Sequence, residues 1–262
     1  MLSGVWLYVV ATAAAFGIAT VASPAGVSGA VLLLPFQVGV LGTPSPAVTP
    51  TNLLYNVVAT PGALLRYWQQ GQTGGRLTRT LLVGTVPGIV VGSIIRVELV
   101  PGPRVFEGII AVVLIPLGAS LLIRRADEPR AGRWRIDGSA PLVAISALVG
   151  GVGGIYGIGG GSILAPMLIS FGRSPREVAP ATLATTLVTS IVGIATFVIL
   201  STNAHASVAP EWGVGIALGV GGLLGSYTGA RLQPRLPEAT IRRLLGLLVI
   251  AIGLRYGWLA VA

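Results

Sequence analysis

The chain has 262 residues, of which 53% are hydrophobic and only 10% charged, with 17 basic residues against 8 acidic ones. So little charge cannot cover a water-facing surface, and the composition therefore predicts lipid as the surrounding solvent. Every basic residue is arginine and the chain has no cysteine, which excludes lysine-based chemistry, disulfide frameworks, thiolate nucleophiles and cysteine-ligated metal sites.

Six apolar segments approach the roughly 20 residues that a helix needs to cross the hydrocarbon core. Two longer apolar regions are interrupted by glycine-rich breaks at 23–29 and 150–161. Beyond each break only about eleven residues remain, roughly half a membrane thickness. The predicted elements, in chain order, are a broken hairpin 4–40, helices 46–66, 79–97 and 104–123, a broken hairpin 139–171, and helices 178–200, 212–230 and 240–260.

The two halves of the chain match when the sequence is aligned with itself at an offset near 131. Gly26 then aligns with Gly157 and Pro35 with Pro166, and the order of long and short segments is the same. We therefore predict an all-α polytopic membrane protein made by duplication. Repeat 1 covers 1–124, a cytoplasmic linker covers 125–138, and repeat 2 covers 139–262.

The arginines predict the orientation, because loops rich in basic residues stay cytoplasmic. Three connections carry an arginine excess: the one after helix 46–66, the central linker, and the one before helix 240–260. Each broken hairpin must then return to its starting side, and each repeat adds three full crossings, so the second repeat is inverted. This predicts a multi-pass protein of the cell (inner or plasma) membrane with both termini outside.

The two breaks are the predicted functional site. Non-helical backbone at membrane depth is tolerated only inside protein or beside a wet cavity, and paired breaks in inverted repeats point to a midplane site. Each half-helix that follows a break directs free N–H groups and a partial positive charge into that site, which favours an anion. The candidate substrate-binding residues are Gly26, Ser28, Gly29, Asn52, Tyr55, Asn56, Gly157, Gly159, Gly160, Gly161, Ser162, Thr182, Thr185 and Thr186.

Other glycines have the spacing of helix-packing surfaces. Gly84, Gly88 and Gly92 recur every fourth residue, as do 221, 225 and 229, which is the small-xxx-small pattern of closely packed membrane helices. These faces could also support a homo-oligomer. At the two breaks we favour a ligand site, since packing alone does not explain why the chain turns back.

No residue set in the chain predicts catalysis. The lone histidine, His205, lies in a polar connection, and neither a Ser/His/Asp set nor a pair of carboxylates is recognisable. The arginines form short clusters rather than one basic face, which argues against nucleic acid. We expect neither an enzyme nor a cofactor, metal or nucleic-acid partner; the expected partners are a small anionic substrate and the lipid bilayer.

The second break carries a family resemblance. The segment Gly157–Pro166, followed by Phe171-Gly172, a short basic turn and the threonine-rich helix from Ala179, resembles the TauE/SafE sulfite exporter family, also described as 4-toluene sulfonate uptake permease-like. The first break matches the family pattern less fully, because Ser28 and Ala30 stand where that pattern has glycine. Whether both breaks contact substrate is therefore left open.

The resemblance implies transport of sulfite, sulfonates or related sulfur oxyanions, usually as export and without ATP. Our leading hypothesis is a secondary carrier that works by alternating access, with one repeat rocking against the other. A passive anion channel through the same pocket is one alternative. A non-transporting membrane assembly partner is another.

Overall fold

The computed structural model describes residues 4–44, 47–72, 75–99, 139–202 and 209–261, with a few positions between 115 and 123. Within these residues the regular structure is helical. The long and half-length helices are α1 Val5–Ala22, α2 Ala30–Gly39, α3 Val48–Gln69, α4 Gly75–Glu98, α5 Ser139–Tyr156, α6 Gly160–Ser170, α7 Pro175–Ser201, α8 Trp212–Leu232 and α9 Glu238–Val261.

In the part of the chain that the structure describes, five helical segments are long and apolar enough to cross a membrane. They begin at Val5, Gly75, Ser139, Pro175 and Trp212. Large apolar side chains are exposed on their outer faces, as expected where lipid replaces water; Trp6 is 71% exposed and Leu148 is 74% exposed. Helix α3 is more polar, but its threonine and asparagine side chains are buried inside the molecule. The all-helical membrane fold predicted from the sequence is thus confirmed.

Helices pack with backbone against backbone at several places, and two of these contacts use the glycine repeats. Helix α4 lies along α5, and α8 lies along α1. The two small-xxx-small faces form these seams, because glycine lets the helix axes approach closely. A methyl group added to any of these glycines would overlap a carbonyl oxygen of the facing helix: Gly84, Gly88 and Gly92 face Val143, Ala147 and Gly151, and Gly221, Gly225 and Gly229 face Thr12, Phe16 and Thr20.

The predicted packing role of these glycines is therefore confirmed. Both faces are filled within one subunit, so a homo-oligomer would have to use a different surface. The seams also join the two halves of the sequence, since α1 and α4 precede the central linker whereas α5 and α8 follow it.

The first break lies where the sequence predicts it. Helix α1 ends at Ala22, a 3₁₀ turn covers Ser23–Ala25, and α2 begins at Ala30. Gly26 adopts a φ of 81°, which the chain needs in order to leave the turn and which favours glycine over any other residue.

The second break is shorter than predicted. The sequence suggested an interruption over 150–161, but α5 continues to Tyr156 and α6 begins at Gly160. Gly150 and Gly154 belong to the α4–α5 seam: a Cβ on either residue would press on the backbone of Thr85 or Ile89. Glycine is used there for close approach within an intact helix, so the predicted start of the break was wrong by seven residues.

The remaining helices lie close to their predicted positions. Helices predicted at 46–66, 79–97, 178–200, 212–230 and 240–260 correspond to α3, α4, α7, α8 and α9, each one to four residues longer at one or both ends. Most of the predicted helix 104–123, the linker 125–138 and the loop that holds His205 lie outside the described residues.

Candidate substrate site

The two breaks meet inside the molecule. Ser28, just before α2, and Ser162, in the first turn of α6, are joined by a hydrogen bond of 2.9 Å between their hydroxyl oxygens. Their side chains are 2% and 3% exposed. The N-terminal ends of the two half-helices therefore face a common buried region, where their partial positive charges add.

Side chains from two other helices hold the first break in place. The Tyr55 hydroxyl of α3 donates to Ser28 O in a short hydrogen bond, and Asn52 Nδ2 donates to Ala30 O at 3.0 Å. Thr182 Oγ1 of α7 donates to Gly26 O at 2.9 Å. The bonds to Gly26 O and Ser28 O satisfy carbonyl groups that the break removes from the helical pattern, as the apolar surroundings require, and the bond to Ala30 O holds the first turn of α2.

The same tethering continues toward the other end of the turn. The Tyr67 hydroxyl donates to Ser23 O at 3.0 Å, and Gln233 Nε2 donates to Pro24 O at 2.6 Å. Gln37 Nε2 in turn donates to Asn52 Oδ1 at 2.9 Å, which fixes the orientation of that amide. The side-chain donors of these residues are thus used in holding the chain, while Ser23 Oγ, Gln37 Oε1 and Gln233 Oε1 have no hydrogen-bond partner among the described residues.

The second break has a different surrounding. A Cβ added to Gly159, the residue before α6, would lie 3.3 Å from Asn56 Nδ2 and 3.4 Å from Ser190 Oγ. It would also lie 2.7 Å from a methyl carbon of Thr186. All three side chains are fully buried. Among the described residues, neither polar atom of Asn56 has a hydrogen-bond partner, nor have the hydroxyls of Thr186 and Ser190.

The hydroxyls of Thr186 and Ser190 differ from those of the neighbouring threonines on α7, because they have no hydrogen-bond partner within the described ranges. Thr185 and Thr189 each donate to a carbonyl oxygen four residues earlier, at 2.8 Å. The single hydroxyl hydrogen of Thr182 is shared between Val178 O and Gly26 O, both at 2.9 Å. Thr186 and Ser190 make no such bond. Because a buried hydroxyl normally finds a partner, two neighbouring exceptions beside an unpartnered asparagine indicate a place that a polar ligand could satisfy.

The break glycines differ in what they face. A Cβ on Gly26 would press on Ala179, and one on Gly157 would press on the backbone of Thr49. Gly29 lies against Tyr55 and Gly160 against Thr85, while Gly161 packs on the backbone of α7. Of these predicted ligand contacts, Gly159 faces the unpartnered Asn56 Nδ2 and Ser190 Oγ, and Gly161 faces the unpartnered hydroxyl of Thr186.

The structure thus divides the predicted residues by their contacts. Asn52, Tyr55 and Thr182 bind the first break, Thr185 bonds its own helix, and Ser28 pairs with Ser162. Asn56, Thr186, Gly159 and Gly161 remain together as candidate ligand contacts. Ser190 was missed, although it continues the spacing of four from Thr182 through Thr186.

Arg96 is a second residue that the sequence analysis missed. Its side chain is only 5% exposed, and Nε donates to Thr49 Oγ1 at 3.3 Å. Thr49 Oγ1 in turn contacts Ile155 O, beside the second break, at 3.4 Å. An arginine near the end of an apolar helix is ordinarily expected to extend to the surface, and this one instead carries its charge toward the break.

A chain with several apolar helices of membrane-spanning length, two of its helical regions interrupted and a buried polar cluster where they meet, is a multi-pass membrane protein with a candidate internal site. The chain belongs to the sulfite exporter TauE/SafE family, whose model matches residues 11–256. The resemblance predicted from the second break is therefore confirmed over nearly the whole chain.

Two similar proteins are described as probable membrane transporters. A probable membrane transporter protein of Xylella fastidiosa strain Temecula1 is 26% identical over 240 residues, which cover 89% of this chain and 88% of that protein. The probable membrane transporter protein YunE of Bacillus subtilis is 25% identical over 259 residues, covering 89% and 91% respectively. No solved structure is detectably similar to this chain.

Proposed function

We propose that this protein is a secondary transporter that exports a small sulfur-containing anion, such as sulfite, a sulfonate or a related oxyanion, by alternating access. The observation that carries the proposal is the buried cluster of Asn56, Thr186 and Ser190 around Gly159. Hydroxyl and amide donors beside a helix N-terminus suit an anion that must lose its water in the membrane interior. We expect no catalytic activity.

The burial of the cluster favours a carrier over an open channel. Asn56, Thr186 and Ser190 are each 0% exposed, so a solute can reach them only after the surrounding helices move. A passive channel needs a continuous path from one side to the other. An occluded site is instead the intermediate that alternating access requires.

The helix packing supports an inverted duplication. The contact of α1 with α8 has its counterpart in α5 with α4, and the contact of α3 with α8 has its counterpart in α7 with α4. Such exchange symmetry is what two inverted copies, each contributing one broken hairpin, would produce. Together with the arginine-rich connections, it supports an arrangement in which both termini lie outside.

The test is anion flux in proteoliposomes, with sulfite, sulfate, thiosulfate and small sulfonates as substrates. Asn56→Ala and Thr186→Val should each reduce saturable flux by roughly tenfold or more, because one or two ligand hydrogen bonds are lost in an apolar setting. Thr189→Val is the matched control: Thr189 is equally buried on the same helix, but its hydroxyl bonds to Thr185 O at 2.8 Å.

Three results would each favour a different conclusion. Equal flux in the Asn56, Thr186 and Thr189 variants would remove the proposed site. Flux that rises without saturation at high anion concentration would favour a passive channel. Retention of every anion at the level of protein-free vesicles would favour a membrane assembly partner that does not transport.

A further inference from the structure

The site around Gly159 is built from neutral donors. Asn56, Thr186 and Ser190 supply an amide and two hydroxyls, and none of them carries a charge. Their unpartnered atoms are fully buried, which distinguishes this site from a bare helix N-terminus. Any positive potential at the site must therefore come mainly from the backbone and from charges farther away.

The backbone contribution corresponds to about one charge. A helix N-terminus acts as roughly half a positive elementary charge. The hydrogen bond between Ser28 and Ser162 brings the starts of α2 and α6 together, so two such ends act on the same region. Two half-charges balance a single negative charge, and a second one would stay buried without compensation.

The unpartnered hydrogen-bond acceptor of the site also favours a singly charged ligand over a doubly charged one. Asn56 Oδ1 has no hydrogen-bond partner and is an acceptor only. A fully deprotonated oxyanion offers no hydrogen to this atom and is repelled by it. A less charged ligand reduces that repulsion, and a protonated oxyanion can donate to it.

We propose that the Gly159 site selects singly charged oxyanions, such as hydrogensulfite or an alkanesulfonate, over doubly charged ones, such as sulfate. This inference rests on the proposed transport function and adds the charge state of the substrate. Sulfite exists as the monoanion in mildly acidic water and as the dianion in mildly alkaline water. Its transport should therefore follow the fraction of the singly charged form.

Arg96 is the competing source of positive charge. It contacts Thr49, which lies seven residues before Asn56 on the same face of α3, about 10 Å along the helix. A guanidinium held beside Thr49 attracts every anion, but it donates to none of Asn56, Thr186 and Ser190, whose polar atoms have no partner in the part of the chain that the structure describes. If it came close to the ligand instead, a dianion would become the better substrate.

The experiment compares methanesulfonate, sulfate and sulfite in proteoliposomes with the same pH on both sides, from mildly acidic to mildly alkaline. Methanesulfonate flux should be independent of pH and exceed sulfate flux by about tenfold or more, because burial penalises the second charge. At constant total sulfite, flux should fall as the pH rises. Asn56→Ala should reduce the flux of methanesulfonate and sulfite, which assigns both to this site.

Sulfate flux as large as methanesulfonate flux, or sulfite flux that rises with pH, would overturn the inference while leaving the transport function intact. Loss of that sulfate flux alone in Arg96→Gln would show that Arg96 supplies the second charge. No protein-dependent flux of any anion would overturn the proposed function and this inference together.

Discussion

Ser28 Oγ and Ser162 Oγ are hydrogen-bonded at 2.9 Å, although 134 residues separate them in the chain. Each serine lies at the start of a half-helix, and each half-helix belongs to a different half of the sequence. One hydroxyl donates to the other, so the acceptor keeps its own hydrogen for a further partner. The contact joins the two breaks and fixes the distance between the two helix N-termini.

The hydrogen bond between Ser28 and Ser162 predicts that the effects of substituting the two serines on stability are not additive. Ser28→Ala and Ser162→Ala each remove the same hydrogen bond, which contributes about 1 kcal/mol. The double variant should therefore be less destabilised than the sum of the two single variants, by a similar amount. Thermal unfolding of the four proteins in detergent micelles measures the coupling. Fully additive losses would show that the two hydroxyls do not interact.

The close packing of α1 on α8 predicts that a methyl group at Gly221 destabilises the protein. Gly221→Ala places a methyl group on the backbone carbonyl of Thr12, which should destabilise the protein by about 1–3 kcal/mol. Gly17→Ala is the control, because a Cβ at Gly17, on the exposed face of α1, meets nothing within 4 Å. That control should be neutral or slightly stabilising. Equal melting temperatures for the two variants would argue against backbone packing at this seam.

The Tyr55 hydroxyl is expected to stabilise the folded protein at the first break. Tyr55→Phe removes the donor to Ser28 O and leaves a fully buried carbonyl unpaired, which costs about 1–3 kcal/mol. Tyr8→Phe alters a side chain that is 46% exposed and should change the melting temperature little. The comparison is made by thermal unfolding in detergent. A Tyr55→Phe protein as stable as wild type would mean that the hydroxyl is not needed to hold the break.

The charge of Arg96 is expected to increase the apparent affinity of the protein for anions. Removing its charge in Arg96→Gln should raise the KM for a monoanion by roughly threefold to tenfold, from the Coulomb interaction at about 10 Å in a partly polar interior. Arg173→Gln is the control, since Arg173 lies near the start of α7 and forms a 2.6 Å ion pair with Glu177 at an exposed position. Concentration-dependent flux in proteoliposomes gives both KM values. An unchanged KM in Arg96→Gln would exclude a role for this charge in binding.

The first break could be predicted almost to the residue, because proline and glycine occur together in an apolar segment and no other glycine-rich stretch adjoins them. The start of the second could not. Gly150 and Gly154 serve close packing, whereas Gly157 and Gly159 interrupt the helix, and a sequence shows the same residue for both purposes. Only the facing helix, α4, distinguishes them.

The candidate site could be predicted as a region but not resolved into roles. Asn52 and Asn56 share a helical face and a residue type, yet the first binds the backbone of α2 and the second has no partner. Which of two similar side chains is used for structure depends on carbonyl groups that another part of the chain brings close. Ser190 continues the spacing of Thr182 and Thr186, so its place on that face was available from the sequence.

The backbone seams have a consequence for motion. Because the glycines bring the backbones of α1 and α8, and those of α4 and α5, into direct contact, neither pair can slide without losing its contacts, and each pair should travel as one piece. Each piece takes one helix from either half of the sequence. The bodies that move during a transport cycle would then be built on these mixed pairs. Helix α3 packs on the backbone of α8 at Gly62, so the boundary between the two bodies would run between α3 and α7, the helices that carry Asn56 and Thr186.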